Sequence, residues 1–331
     1  MSAPSYPNAH PYASLTPDVV MDAVESCGYQ CSAQILALNS YENRVYQVGL
    51  EDQPNLIAKF YRPQRWAPAQ IQEEHDFATA LSAVDVPVIA PWRNAQGQSL
   101  FAHAGFHFAL YPQQSGRAPD LEVPDDLQQI GRLLARLHAM GAEADFQHRP
   151  SLTVTRMGES AVADVLASPL LPEAVYAPYQ QVTAALLDGI RNVFASVPLC
   201  PIRIHGDCHT GNLLWRDGQA FFVDLDDAVM GPAMQDLWLL LSGDRAQQQA
   251  ILFEVMLGYE QFYEFPFAQL PLIEPLRALR TLHYAAWLAR RWDDPSFPMH
   301  FPWFGTERYW WEHIDTLRQQ LGDLSEPPLQ L

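Results

Sequence analysis

Short apolar runs separated by turn residues fill the first third of the chain, and apolar stripes at helical spacing fill much of the rest. A helix is predicted to open at Thr16-Pro17-Asp18, where Thr16 can cap, proline suits the first turn and Asp18 complements the helix dipole. Val19, Val20, Ala23 and Val24 give its apolar face, and Gly28 ends it. Residues 35–38 and 45–48 read as strands around the polar loop Asn39-Ser40-Tyr41-Glu42-Asn43, and the run Leu56-Ile57-Ala58-Lys59-Phe60-Tyr61 reads as a third. Ile71, Glu74, Ala78 and Leu81 fall on one stripe of a helix over 69–81. The runs at 86–91 and 101–110 are expected to complete a small antiparallel sheet.

Past a Pro- and Gly-bearing linker over 113–125, the stripe Leu127, Ile130, Leu134, Leu137 and His138 marks a helix, with His138 read as a packing residue. Residues 162–166, 179–193, 234–241 and 274–292 are also read as helical. The last carries Trp287, Trp292, Arg290 and Arg291, and Trp303, Trp310 and Trp311 follow it. These aromatic residues suit a core better than a binding site. The expected architecture is α+β and two-lobed: a β-rich lobe over 1–111, a hinge over 112–126 and a helical lobe over 127–331. Residues 1–14 read as a frayed arm.

Composition narrows the class. With 331 residues, 48% hydrophobic and 18% charged, the chain is globular and long enough for two lobes. No apolar run reaches the roughly 20 residues that span a bilayer, and the N-terminus lacks the basic start and apolar centre of a signal peptide, so a cytoplasmic monomer is expected. A net charge of −18, from 38 acids against 20 bases, argues against nucleic acid and anionic membrane as partners and would suit a cationic acceptor. Cys27, Cys31, Cys200 and Cys208 show no metal-binding pattern and read as reduced thiols, with Cys208 in a packing role.

The stretch IHGDCHTGNLLWRDGQAFFVDLDD, residues 204–227, concentrates the chemistry. Leu213-Leu214-Trp215 and residues 219–223 read as two short strands joined at Asp217-Gly218, which returns Asp224 beside Asn212. Phosphoryl transfer from ATP needs a carboxylate to orient the acceptor hydroxyl and take its proton, and hard oxygen ligands to hold Mg²⁺ on the phosphates. Asp207 fits the first task, and Asn212 and Asp224 the second. Asp217 reads as a turn residue, and Asp226 and Asp227 can be either surface or site acids. Asp236, at a helix start, is either a partner for the catalytic-loop backbone or a plain helix-end acid.

Lys59 is the only lysine in the chain and lies inside an apolar strand. Its compact ammonium can reach phosphate oxygens where a planar guanidinium does not fit. A buried lysine needs a carboxylate, and Glu74, on the apolar stripe of its helix, is the preferred partner, with Glu73 as the fallback. The 39–43 loop lacks a Gly-rich fingerprint, yet backbone N–H groups and the Ser40 hydroxyl can serve phosphate oxygens.

HGDCHTGN followed by FVDLDD resembles the catalytic and metal-binding motifs of the aminoglycoside phosphotransferase-like kinases, a superfamily that includes choline and homoserine kinases and has a protein-kinase-like fold. LNSYENRVYQV, AKFYRPQRW, EEHDFA, VDLDDA, GPAMQDLWLLL and EPPLQL extend the resemblance over almost the whole chain, toward a bacterial group of stress-response kinases within it. The resemblance implies Ser/Thr phosphorylation of protein, including the kinase itself. It supports a phosphate contact from Ser40. In a two-lobed kinase the adenine is held by the segment leaving the sheet, here Tyr111-Pro112-Gln113. A small-molecule kinase for an aminoglycoside or choline-like acceptor is the alternative, and a non-catalytic nucleotide-binding regulator the other.

Overall fold

The computed structural model describes residues 10–331, which form two compact units. The first runs through Gly116 and takes in Asp293–Ser296; the second comprises Arg117–Trp292 and Phe297–Leu331. Most of the arm expected over 1–14 lies outside the described residues. Its end is not frayed: residues 11–14 form a turn, and Tyr12 is buried, its hydroxyl donating to Glu42 O (3.1 Å) and Phe60 O (3.3 Å).

The first unit is a five-stranded antiparallel sheet in the order β1-β2-β3-β5-β4, built from β1 (Cys31–Ala37), β2 (Arg44–Leu50), β3 (Leu56–Phe60), β4 (Phe101–His103) and β5 (Phe106–Pro112). Alternation sorts its side chains. Leu56, Ala58 and Phe60 of β3, with Phe106, Phe108 and Leu110 of β5, join Val20, Ala23 and Val24 of α1 (Pro17–Glu25) in one core. Lys59, between Ala58 and Phe60, therefore points to the other face. That face carries Ala109 and Tyr111 and packs on Ile71 of α2 (Pro68–Ala83). Thr16 caps α1, its hydroxyl oxygen accepting from Val19 N at 3.3 Å. The run at 86–91 is not a strand; only Val88 forms a bridge. Pro87 and Pro91 lack the N–H that a ladder requires.

The chain returns to the first unit for Asp293–Ser296, although the pattern of residues places everything after 127 in one helical lobe. A buried ionic network accounts for the return. Asp294 accepts from Arg62 (2.6 Å) and Arg44 (3.2 Å), and Arg62 also pairs with Glu42 (3.2 Å). The Arg44 and Arg62 guanidiniums lie over the Tyr12 ring, at 4.5 and 5.5 Å. Charge this deeply buried is stable only when paired.

The second unit is mainly helical: α3 (Pro124–Gly141), α4 (Ser160–Leu166), α5 (Glu173–Ser196), α6 (Met234–Trp238), α7 (Arg245–Tyr259), α8 (Ile273–Arg291), α9 (Ser296–His300, which begins in the returning segment) and α10 (Glu307–Asp323). Two small ribbons complete it, β6 (Ile202–Ile204) paired with β9 (Val229–Gly231), and β7 (Leu213–Arg216) paired with β8 (Gln219–Phe222). Arg117, inside the expected linker, exchanges backbone hydrogen bonds with Trp215 of β7 and so is fixed to the second unit. Trp310 is fully buried against Tyr179 and Phe304, whereas Trp303 and Trp311 are exposed. No helix among the described residues is long and apolar enough to cross a membrane.

Candidate active site

The expected hairpin forms. Leu213 pairs with Phe222 and Arg216 with Gln219, leaving Asp217 (φ 52°) and Gly218 (φ 76°) as a two-residue turn with both φ positive. That geometry matches the twist of the flanking strands, and Asp-Gly is the sequence that adopts it most readily. Val223 N then donates to Asn212 O at 3.1 Å, so the strand returns Asp224 to the neighbourhood of Asn212.

His205 joins the two halves of the motif. It is fully buried; its Nε2 lies 2.9 Å from the Val223 carbonyl and its Nδ1 3.4 Å from the Asp207 amide. A carbonyl can only accept and an amide only donate, which fixes the imidazole as the Nε2–H tautomer. One ring therefore sets the backbone of the residue before Asp224 and that of Asp207 itself. Gly206, between them, has φ 85°, and a Cβ there would sit 2.2 Å from Asp227 O. Only glycine fits.

Asp236 of α6 anchors this loop from below. Its carboxylate accepts from His205 N (2.8 Å), Gly206 N (2.8 Å) and His138 Nε2 (3.1 Å), and it is fully buried. His138 is in turn held by the Tyr259 hydroxyl at 2.8 Å. Of the two roles open to Asp236, bracing the catalytic-loop backbone is the one observed. His138 is buried, as expected of a packing residue, and also part of this polar chain. Gln235 Nε2 donates to Gly206 O, completing the brace. Arg149, which carries no signal in the sequence, donates to Ala228 O (2.5 Å) and to Asp226 O, fixing the segment after Asp224 from buried surroundings.

Asp207 is partly exposed (24%), and both of its oxygens are engaged: Oδ1 by Arg280 of α8, and Oδ2 by His209 Nε2 at 3.5 Å. Burial pushes its carboxyl up, but the hydrogen bond from His209 and the Arg280 guanidinium outweigh burial and hold it at about 2. The group is thus an ionised carboxylate at neutral pH. Arg280 is not visible from the motif; it is one of many arginines, although it follows buried Leu276 by one helical turn, where a charge needs a partner. Next to Asp207, Cys208 is wholly buried, and burial raises its thiol well above the usual range, as a packing role requires.

Asn212 donates through Nδ2 to Asp207 O at 2.9 Å, which orients its side-chain oxygen as the free end. Asp224 is exposed and left-handed, with φ 58° and ψ 62°. Few side chains tolerate that region, and aspartate is among them. An amide oxygen and an exposed carboxylate suit Mg²⁺, which takes one or two protein oxygens and fills its shell with water and phosphate. Among the described residues no cluster of three His, Cys, Asp or Glu is placed to hold a metal by itself.

In the first unit, Lys59 (6% exposed) and Glu74 (2%) are both buried, and Glu73 is only half-buried. The Lys59 ammonium lies 5.2 Å from the Tyr61 ring centre. Tyr61 shares hydrogen bonds with His75 Nε2 (2.7 Å) and the Tyr111 hydroxyl (3.0 Å), so the Tyr111 side chain belongs to the polar layer beneath Lys59. The Ser40 hydroxyl donates to Asn43 O at 3.1 Å and would have to rotate to reach a phosphate.

Residues 34–270 match the phosphotransferase enzyme family, APH, and the chain belongs to that family. Among its relatives, "Stress response kinase A" of Escherichia coli (strain K12) is 44% identical over 324 residues, and "Serine/threonine protein kinase RdoA" of Salmonella typhimurium (strain LT2) is 43% identical over 332; each alignment covers 98% of both chains. A solved amicoumacin kinase, hAmiN, in complex with AMP-PNP, Ca²⁺ and Ami, shares the fold, with TM-score 0.73, 19% identity and 94% of each chain covered. The protein is a kinase, an ATP-dependent phosphotransferase, of protein-kinase-like fold.

Proposed function

We propose that this kinase uses Mg²⁺·ATP to phosphorylate Ser and Thr hydroxyls of protein, including its own. Identity above 40% that runs through 98% of the chain, well beyond the phosphate chemistry, supports the acceptor class carried by the relatives' names. The observation that carries the catalytic assignment is the bracing of Asp207 and Val223-Asp224 by one buried imidazole, His205.

On this reading a lobe over 1–111, with a hinge over 112–126, serves the nucleotide, and the lobe over 127–331 carries out transfer. Lys59 contacts the α- and β-phosphates, Glu74 neutralises and positions Lys59, backbone at Tyr111 receives the adenine, and the 39–43 loop with Ser40 covers the phosphates. Asn212 and Asp224 hold Mg²⁺, which when bound offsets the charge of the phosphate oxygens. Asp207 orients the acceptor hydroxyl. The hydroxyl oxygen forms a bond to the γ-phosphorus as the bond to the ADP oxygen breaks, and the hydroxyl proton passes to the Asp207 carboxylate. A carboxylate held at about 2 is a weak base, which suits a reaction whose rate comes from positioning and charge neutralisation.

Labelled-ATP transfer to a protein acceptor, run beside an amino-alcohol and aminoglycoside panel, tests the proposal. Phosphate on Ser or Thr is expected. Turnover confined to the small molecules would overturn the acceptor class and leave the catalytic loop assignment standing.

A further inference from the structure

Asp207 is paired before any acceptor arrives. Arg280 Nη1 holds Oδ1 and His209 Nε2 lies 3.5 Å from Oδ2; each oxygen keeps capacity to accept from a hydroxyl, which then sits beside the guanidinium. The Arg280 side chain is 41% exposed and also lines an open cleft of about 370 Å³ with Thr281, Tyr284, Tyr309, Glu312 and Thr316, on α8 and α10. The acid of this cleft, Glu312, already pairs with Arg308 at 2.8 Å. The fixed cation beside an acceptor on Asp207 is therefore the Arg280 guanidinium.

We propose that Arg280 sets acceptor specificity: its partly exposed guanidinium, held beside Asp207, favours a hydroxyl flanked by an anionic group. The inference rests on the reading of Asp207 as the carboxylate that receives the acceptor proton. An acceptor with a neighbouring carboxylate adds a second ion pair to the guanidinium. An acceptor with a neighbouring ammonium leaves Arg280 beside a second cation and so is selected against, which is specificity by repulsion as well as attraction. This preference is opposite to the one suggested by the chain's net charge of −18. A local guanidinium next to the reacting oxygen outweighs distant acids, which salt screens beyond about 8 Å at physiological ionic strength.

The test uses the full chain with Mg·ATP and matched serine peptides whose residues on both sides of the serine are Asp, Ala or Lys, together with glycerate and ethanolamine as small acceptors. The parent enzyme is expected to favour Asp over Lys flanks by about tenfold in kcat/KM, the scale of a partly exposed ion pair gained against one repelled. The preference shrinks in 1 M salt, where the screening length is about 3 Å. Arg280→Ala removes it and Arg280→Glu reverses it, with unchanged circular dichroism and melting temperature confirming an intact fold. A parent preference for Lys flanks, an unchanged ratio in Arg280→Ala, or no turnover of any anionic probe overturns the proposal. Turnover of glycerate without any peptide would sink the protein-acceptor reading and keep this one. Phosphorylation of Lys-flanked peptides above Asp-flanked ones would do the opposite.

Discussion

Replacing Asp236 by asparagine tests whether the catalytic loop is held from beneath. The carboxylate accepts through Oδ2 from His205 N and His138 Nε2, and through Oδ1 from Gly206 N. An amide has one acceptor oxygen, so at best it keeps the two Oδ2 bonds and turns an NH₂ toward the Gly206 N–H. One charge-assisted bond is lost, a buried donor is left without a partner, and two donors face each other. A hydrogen bond to a charged group contributes about 1.5–3 kcal/mol, so Asp236→Asn should cost about 2–4 kcal/mol. Asp236→Ala strands three donors and should cost more. The activity loss should exceed what the lost stability explains, because Gly206 precedes Asp207 and a shift of about 1 Å at a positioning group can cost about 10²-fold. Urea unfolding gives the stability change, and kcat with saturating Mg·ATP on still-folded enzyme gives the second. An Asp236→Asn enzyme within about 1 kcal/mol of the parent, and with more than a third of its kcat, would refute the bracing argument.

Asp207→Ala should lower transfer by about 10²–10⁴-fold while nucleotide affinity, read by calorimetry, stays near the parent's. Because the folded Asp207 carboxyl lies at about 2, below its ordinary 3.8, its pairing contributes stability above that ordinary value and loses it as pH falls from about 4 toward about 2; in Asp207→Ala that segment of the acid-unfolding curve should flatten. Asp224→Asn should fold as well as the parent, since Asn also accepts the left-handed region, yet lose Mg²⁺-dependent ATP affinity; Asp224→Ala should add a cost of about 1–2 kcal/mol in melting experiments. Lys59→Arg should be nearly as inactive as Lys59→Ala, and near-parental activity would show that charge alone matters there. Asp294→Ala removes the 2.6 Å partner of buried Arg62, which keeps Glu42, and should cost about 1.5–3 kcal/mol in denaturant, whereas a change under about 1 kcal/mol would dismiss the network as a fold determinant.

The local parts of this architecture are legible in the chain. Asp217-Gly218 between two apolar runs specifies a turn and its register, and the turn alone returns Asp224 to Asn212. Period-two alternation puts Lys59 on the face opposite Ala58 and Phe60, and helical spacing buries Glu74 rather than Glu73. What is not legible depends on distant pairs. Asp236 meets His138 from 98 positions away, Arg280 meets Asp207 from 73, and Asp294 meets Arg62 from 232. No periodicity encodes such partners: the sequence offers Asp236 as a brace for the loop but not its pairing with His138, and Arg280 and Asp294 are each one charge among many. Helices α7 and α10 also escape the periodicity, because apolar Phe253 and Leu257 lie on the exposed side of α7 and polar His313 and Gln320 lie among the buried positions of α10, while 86–91 resembles a strand although its β-branched residues are interleaved with prolines that cannot pair.

Mass spectrometry of the purified protein after incubation with Mg·ATP, alongside the Asp207→Ala variant, bears most directly on the central claim. The account predicts phospho-Ser or phospho-Thr on the parent and on an added protein acceptor, and none on Asp207→Ala. Equal phosphorylation of parent and variant, or no phosphorylated protein in the presence of rapid small-molecule turnover, would contradict it.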